Sequence, residues 1–274
     1  MAYDIESVIQ SYADYLRTLK RKGLWEQFQK RRRDAPESAK AEAVVFRILQ
    51  YCGADPEVAD MPKSGGLDFL CFKDKPGRFL VEATSFRPEK VTKDTGIPNE
   101  VPEGITGGPI GLLTIPILRK GDEKSPQFEK LAIPGVLAVV SSHFGAAVVL
   151  DKLAAQYALT SSPSWTISDD RLTTNFAQSL FLKMEEDGII ACRNPKISAL
   201  LLVSVTGDRS YVCGALNPSA EYRLDSSLVW MINFVYLKDW PLENKRVRWA
   251  WTMGDGYSSY EVPHAPIMYF KKVD

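Results

Sequence analysis

Apolar positions first recur at helical spacing. Ile5, Ile9, Tyr12, Leu16 and Leu19 predict a helix within residues 5–28, interrupted at Gly23. A second helix is expected over 37–51, with Val44, Val45, Ile48 and Leu49 on its apolar face and Gly53 at its end. A short strand over 57–61, ended by Pro62, then leads into two β-forming runs, 67–72 and 79–85, joined by the turn residues Asp74, Lys75, Pro76 and Gly77. Those two runs read as a β-hairpin. Residues 86–120 are dense in Gly and Pro and read as a long connection of the kind that forms a lid or substrate-gripping loop, followed by a helix over 122–131. The continuous apolar run 135–141 has the character of a strand buried on both faces. Beyond it, the pattern predicts helices over 146–159 and 172–184, strands over 197–205 and 211–216 joined through Gly207 and Asp208, and further strands over 247–253 and 267–271. Residues 228–237 fit either element. No polar linker divides the chain, so one compact α/β domain is expected, with the C-terminal elements extending the same sheet.

The hairpin carries the candidate chemistry. If Phe72 pairs with Arg78, Asp68 falls opposite Glu82, because residue numbers in an antiparallel pair keep a constant sum. Cross-strand Cβ atoms lie about 5 Å apart, where two like charges repel unless something neutralises them. Both acids sit in otherwise apolar strands, which points to a cation. One or two carboxylates completed by water and a substrate phosphate suit Mg²⁺, or Mn²⁺ in its place, and hence phosphodiester chemistry.

An Asp on one strand, followed after a turn by Glu-x-Lys on the next, resembles the signature of the PD-(D/E)xK nuclease superfamily, which has the restriction-endonuclease-like fold. Asp68 and Glu82 match its acids, and Thr84 stands where the superfamily usually has lysine. The predicted order of helix, three strands, helix and strand over 37–141 is similar to the superfamily's αβββαβ core, a mixed sheet flanked by helices. The resemblance thus divides the chain into a basic helical arm at 1–36, a nuclease-like core at 37–145 and a C-terminal α/β extension packed on it at 146–274. It implies Asp68 and Glu82 as metal ligands, and Glu42 on the first core helix as a further metal-coordinating or water-holding acid. The other reading of Glu42 is an acid favoured near a helix N-terminus. With Thr84 supplying only a hydroxyl, either the lysine that supports the attacking water comes from another element, or the site is altered, or the resemblance is accidental. Lys124, with Gln127 beside it, resembles the Lys/Gln helix of several branches, and Lys130 is the second candidate. Many such nucleases pair two active sites, so a homodimer is compatible with the resemblance.

Composition limits the partners. The 274 residues have zero formal net charge, so any nucleic-acid surface must be local. The local candidate is Arg17, Lys20, Arg21, Lys22, Lys30, Arg31, Arg32 and Arg33, interleaved with Trp25 and Phe28, which could clamp a phosphate backbone or form a solvated helix face. No signal peptide or membrane-length apolar run is present, which leads to the expectation of a cytoplasmic protein without a membrane partner. Cys52, Cys71, Cys192 and Cys213 are far apart, each in an apolar setting, and read as buried free thiols. Ser141, Ser142 and His143 would serve a serine hydrolase, but G-x-S-x-G is absent and adjacent strand residues point to opposite faces. The expected function is therefore a metal-dependent endonuclease acting on DNA. The alternative is a nuclease-fold protein that binds nucleic acid or a protein without cleaving.

Overall fold

The computed structural model describes the chain apart from residues 1–3, 20, 22, 60–66, 101–112, 131, 161–163, 169–170, 176–178, 186–188, 242–247, 255–259 and 265–274. Three helices come first: α1 (Ile5–Thr18), α2 (Leu24–Asp34) and α3 (Pro36–Tyr51). Gly23, at φ 90°, makes the turn between the first two. The strands β1 (Pro56–Val58), β2 (Phe69–Cys71) and β3 (Phe79–Phe86) follow, then α4 (Pro88–Thr95), α5 (Thr114–Phe128) and β4 (Gly135–Ser141). The C-terminal half adds α6 (Ala146–Val149), α7 (Lys152–Thr160), β5 (Ser164–Ser168), β6 (Arg171–Asn175), β7 (Leu182–Met184), β8 (Ile190–Cys192), β9 (Ile197–Thr206) and β10 (Arg209–Leu216). A short 3₁₀ turn (Ser226–Val229) precedes β11 (Asn233–Leu237), β12 (Trp249–Trp251) and β13 (Tyr260–Pro263).

Nine of these strands form one mixed sheet in the order β1-β2-β3-β4-β9-β10-β11-β12, with β13 also on β10. The β3–β4 and β4–β9 pairs are parallel, so β4 lies between neighbours and all seven of its residues are buried. Its alternate side chains divide between two cores. Val136, Ala138 and Val140 pack with α1, α2 and α3, whereas Leu137 and Val139 pack with α5 and α7 on the opposite face. Helices on both faces explain why β4 reads as an unbroken apolar run. Helices α1 and α2 pack on the sheet: Val8, Ile9, Tyr12, Leu16 and Phe28 belong to the first core. Among the described residues, no helix is long and apolar enough to cross a membrane.

Several expectations need correction. The long connection after Phe86 contains α4 and the N-terminal part of α5, both of which carry Pro in the first turn, where the missing N–H costs nothing. Only 101–112 of the expected lid lies outside the described residues. The helix expected from Asp122 therefore begins at Thr114 and runs through Pro126 to Phe128. The helix expected over 146–159 is split, because Asp151 Oδ1 accepts from the N–H groups of Leu153 at 3.0 Å and Ala154 at 3.3 Å and so starts α7 afresh. The helix expected over 172–184 is absent: β6 and β7 fall there, paired with β5 and β8. The strand expected over 267–271 lies outside the described residues.

Candidate active site

The hairpin register is Phe69 with Val81, Leu70 with Leu80 and Cys71 with Phe79, so Asp68 falls opposite Glu82. The ladder stops at this point, since β2 begins at Phe69 while β3 continues to Phe86. Asp68 takes over where the backbone pairing ends: its Oδ2 accepts from the N–H of Ala83 at 2.8 Å. A half-buried carboxylate thus takes the place of a backbone acceptor at the end of the ladder.

Two helices bring the remaining groups. On α5, Lys124 and Gln127 are three residues apart and share a face. Lys124 Nζ lies 2.6 Å from Glu82 Oε1, and the Gln127 amide, oriented by its hydrogen bonds, donates to the same oxygen at 3.0 Å. Elsewhere on the helix, Gly121 lies so close to Leu180 that an added Cβ would stand 2.0 Å from Leu180 Cδ1. Arg193 Nη2 holds Asp122 at 2.7 Å and 2.8 Å. These contacts fix α5, and with it Lys124. On α3, Glu42 is buried. Its Oε1 accepts from the Tyr12 hydroxyl at 2.8 Å, and its Oε2 forms an ion pair with Arg31 Nη1 of α2. Glu37, not Glu42, occupies the first turn of α3, so the helix N-terminus does not account for Glu42.

Electrostatics ties the three acids into one cluster. Burial, then the charges of Glu82 and Glu42, push the Asp68 carboxyl well above the usual range, against the Ala83 N–H and Arg31. Burial raises Glu82 as well, opposed by the hydrogen bond and charge of Lys124. It also raises Glu42, opposed by Arg31 and Tyr12. Burial and Glu42 raise Tyr12 well above its ordinary value, which keeps its hydroxyl a donor. Tyr12→Phe should leave one Glu42 oxygen without that donor and destabilise the fold by about 1–3 kcal/mol, read as a lower denaturant midpoint at unchanged m-value.

The basic segment does not act as one surface. Arg31 is drawn inward to Glu42, Arg32 Nη2 pairs with Glu6 at 2.7 Å, and the Arg17 guanidinium lies over Trp25 at 4.7 Å. Arg21 donates to the Val58 carbonyl at 3.0 Å, Lys30 and Arg33 are exposed, and Lys20 and Lys22 lie outside the described residues. Phe28 does not interleave with these charges but is buried in the core. Thr84 is buried two residues past Glu82 on the same face of β3. Lys130 follows the end of α5 and is exposed, whereas Lys124 holds Glu82.

The serine-hydrolase arrangement is not formed. Ser142 Oγ donates to Glu37 Oε2 at 2.6 Å, while the His143 ring bonds to Thr92 Oγ1, the Ile97 carbonyl and the Gly145 N–H. His143 is a strand-end anchor for α4 and the turn into α6. Cys52, Cys71 and Cys213 are buried free thiols and Cys192 an exposed one. A cavity lined by Ser198, Asn217, Arg223, Tyr236 and Trp240 contains none of the candidate residues.

Sequence reasoning missed the interior parts of Arg31 and Tyr12. Arg31 reads as one more surface cation, and Tyr12 as one more apolar position of α1. Among the described residues, no group of three or more His, Cys, Asp or Glu side chains is arranged to hold a metal ion. No protein-family model, curated protein or solved structure matches this chain.

Proposed function

We propose that this chain is a divalent-metal-dependent phosphodiester hydrolase of the PD-(D/E)xK type, an endonuclease acting on DNA. One observation carries the reading: Glu42, Asp68, Glu82, Lys124 and Gln127, from two helices and a hairpin, form a single cluster around Glu82 and Asp68. The order α3, β1, β2, β3, α5, β4, with α4 inserted before α5, supports a restriction-endonuclease-like core. Two raised carboxyls at the end of a ladder fit Mg²⁺ or Mn²⁺, which takes one or two carboxylates when water and a phosphate complete its shell.

Asp68 and Glu82 would hold the ion, whose chemistry when bound is to acidify a water and neutralise charge on the phosphate. Lys124 supplies the positive charge that Thr84 cannot, at the carboxylate beside which an attacking water would be held. Gln127 fixes that carboxylate's orientation. Lys30 and Arg33 remain as exposed cations of α2 for non-specific contact with the phosphate backbone. Neutralising Lys30 and Arg33 should reduce the slope of log K against log salt by up to about two units on duplex DNA, at roughly 0.9 per phosphate contact. An unchanged slope assigns both to an ordinary solvated face. The deciding experiment is a gel assay against plasmid, linear DNA and RNA, with and without Mg²⁺ or Mn²⁺, alongside Asp68→Asn. Cleavage that needs the metal and is lost in the variant supports the proposal. Equal cleavage by the variant ends it.

A second reading is favoured by Thr84 and by the fact that Glu42, Asp68 and Glu82 each already have a cation or N–H partner within the protein. In this reading the nuclease fold binds nucleic acid or a protein without cleaving. Calorimetric binding of Mg²⁺ or Mn²⁺ that vanishes in Asp68→Asn selects the enzyme, and absence of any metal binding selects the binder.

A further inference from the structure

We propose that the site takes one divalent ion per chain, and that Arg31 does the work a second ion would do. The inference rests on the metal-dependent reading above and concerns how the site's negative charge is divided.

Three acids act on one another at the cluster, and the one that Asp68 and Glu82 leave over for a second ion is Glu42. Glu42 is committed elsewhere. Its two oxygens face two donors from separate helices, the Tyr12 hydroxyl and Arg31 Nη1. The Tyr12 donor cannot easily withdraw, since its ring is held at 5.0 Å from Phe28 and 4.9 Å from Phe46 inside the first core. Arg31 cannot lose its charge near neutral pH, because a guanidinium stays protonated. A second divalent ion would therefore have to displace a permanent cation from a carboxylate that is 11% exposed. Glu82 differs because its cation is a lysine on a flexible stem, a point charge that can shift to a neighbouring water or phosphate oxygen.

Arg31 can also reach a substrate. One nitrogen faces Glu42, the group has five N–H donors in all, and its side chain is 41% exposed. A phosphate oxygen arriving at the cluster meets a guanidinium already placed and oriented, which suits the planar, bidentate contact that arginine makes with phosphate. The division of labour is then one ion at Asp68 and Glu82, Lys124 toward the attacking water, and Arg31 toward the phosphate.

The test is Mn²⁺ titration of the full-length protein without nucleic acid, with free Mn²⁺ followed by electron paramagnetic resonance. Wild type should bind one ion per chain and Asp68→Asn none. Arg31→Met, which keeps the stem and removes the charge, should bind two, and Arg31→Lys one. Adding Glu42→Gln to Arg31→Met should return the count to one, which a merely structural Arg31 would not do. Metal-supported cleavage at one ion per chain should fall about a hundred-fold or more in Arg31→Met, in line with the loss of a preorganised cation, and recover in part at high Mn²⁺. Two ions in wild type, or an unchanged count and rate in Arg31→Met, overturn the proposal while leaving the nuclease reading in place. No ion in wild type removes the metal site itself and with it the function proposed above.

Discussion

Lys124→Ala should lower the turnover rate for DNA cleavage by about two to three orders of magnitude while changing Mn²⁺ affinity little, because its amine acts on developing charge and is not a ligand. The geometry sharpens this expectation. Lys124 Nζ holds the Glu82 carboxylate of β3 from α5, so the proposed site has an amine although Thr84, two residues past Glu82, supplies none. Thr84→Lys in the Lys124→Ala background should therefore recover part of the rate. Thr84→Lys alone also separates the two readings, because an inactive wild type awakened by it would mark a degenerate site. Full activity in Lys124→Ala would sink the assignment.

Asp68→Asn should abolish cleavage and, in metal-free buffer, raise the melting temperature by a few degrees. Asparagine keeps an acceptor for the Ala83 N–H and removes a charge that burial, Glu82 and Glu42 all disfavour. About 1 kcal/mol moves a chain of this size by roughly 2–4 °C. The sign of the pH dependence follows from the same cluster. The folded-state carboxyls of Asp68, Glu82 and Glu42 are raised above their unfolded values, so the native state binds more protons just above about pH 4. Their stabilising effect is complete below the unfolded values and is lost as pH rises through the folded ones. Wild type without metal should thus lose stability from mildly acidic toward neutral pH, and Asp68→Asn should lose less. Thermal melts across that range check both statements, and a wild-type curve that rises toward neutral pH would falsify the electrostatic account.

The parts of this structure legible in the sequence are those fixed by local chemistry. The run 135–141 is β4 to the residue, because a strand covered on both faces must be apolar throughout. The hairpin register followed from its turn, and the register alone brought Asp68 opposite Glu82. The apolar recurrence every four residues behind the helix expected over 172–184 misled for a geometric reason. Positions four apart share a face in a helix, but four is also a multiple of two, so the same stripe fits strands. Arg31 was illegible for a different reason. Its partner Glu42 lies on the next helix, and only packing of α2 on α3 decides whether a cation in a basic run points to solvent or to a buried acid. The contact between Lys124 and Glu82 joins residues 42 positions apart, and no periodicity encodes it.

The position of β4 between β3 and β9 bears on how the chain is made. When Ser141 leaves the ribosome, every residue of the candidate site has been synthesised, yet β4 has no partner on its far side until β9 is complete at Thr206. At roughly 5–20 residues per second, the nascent chain carries a largely apolar strand with one open edge for on the order of several seconds. A fragment ending near residue 145 would carry that edge permanently. It should be recovered from cells with chaperones or in inclusion bodies, and not as a small folded domain.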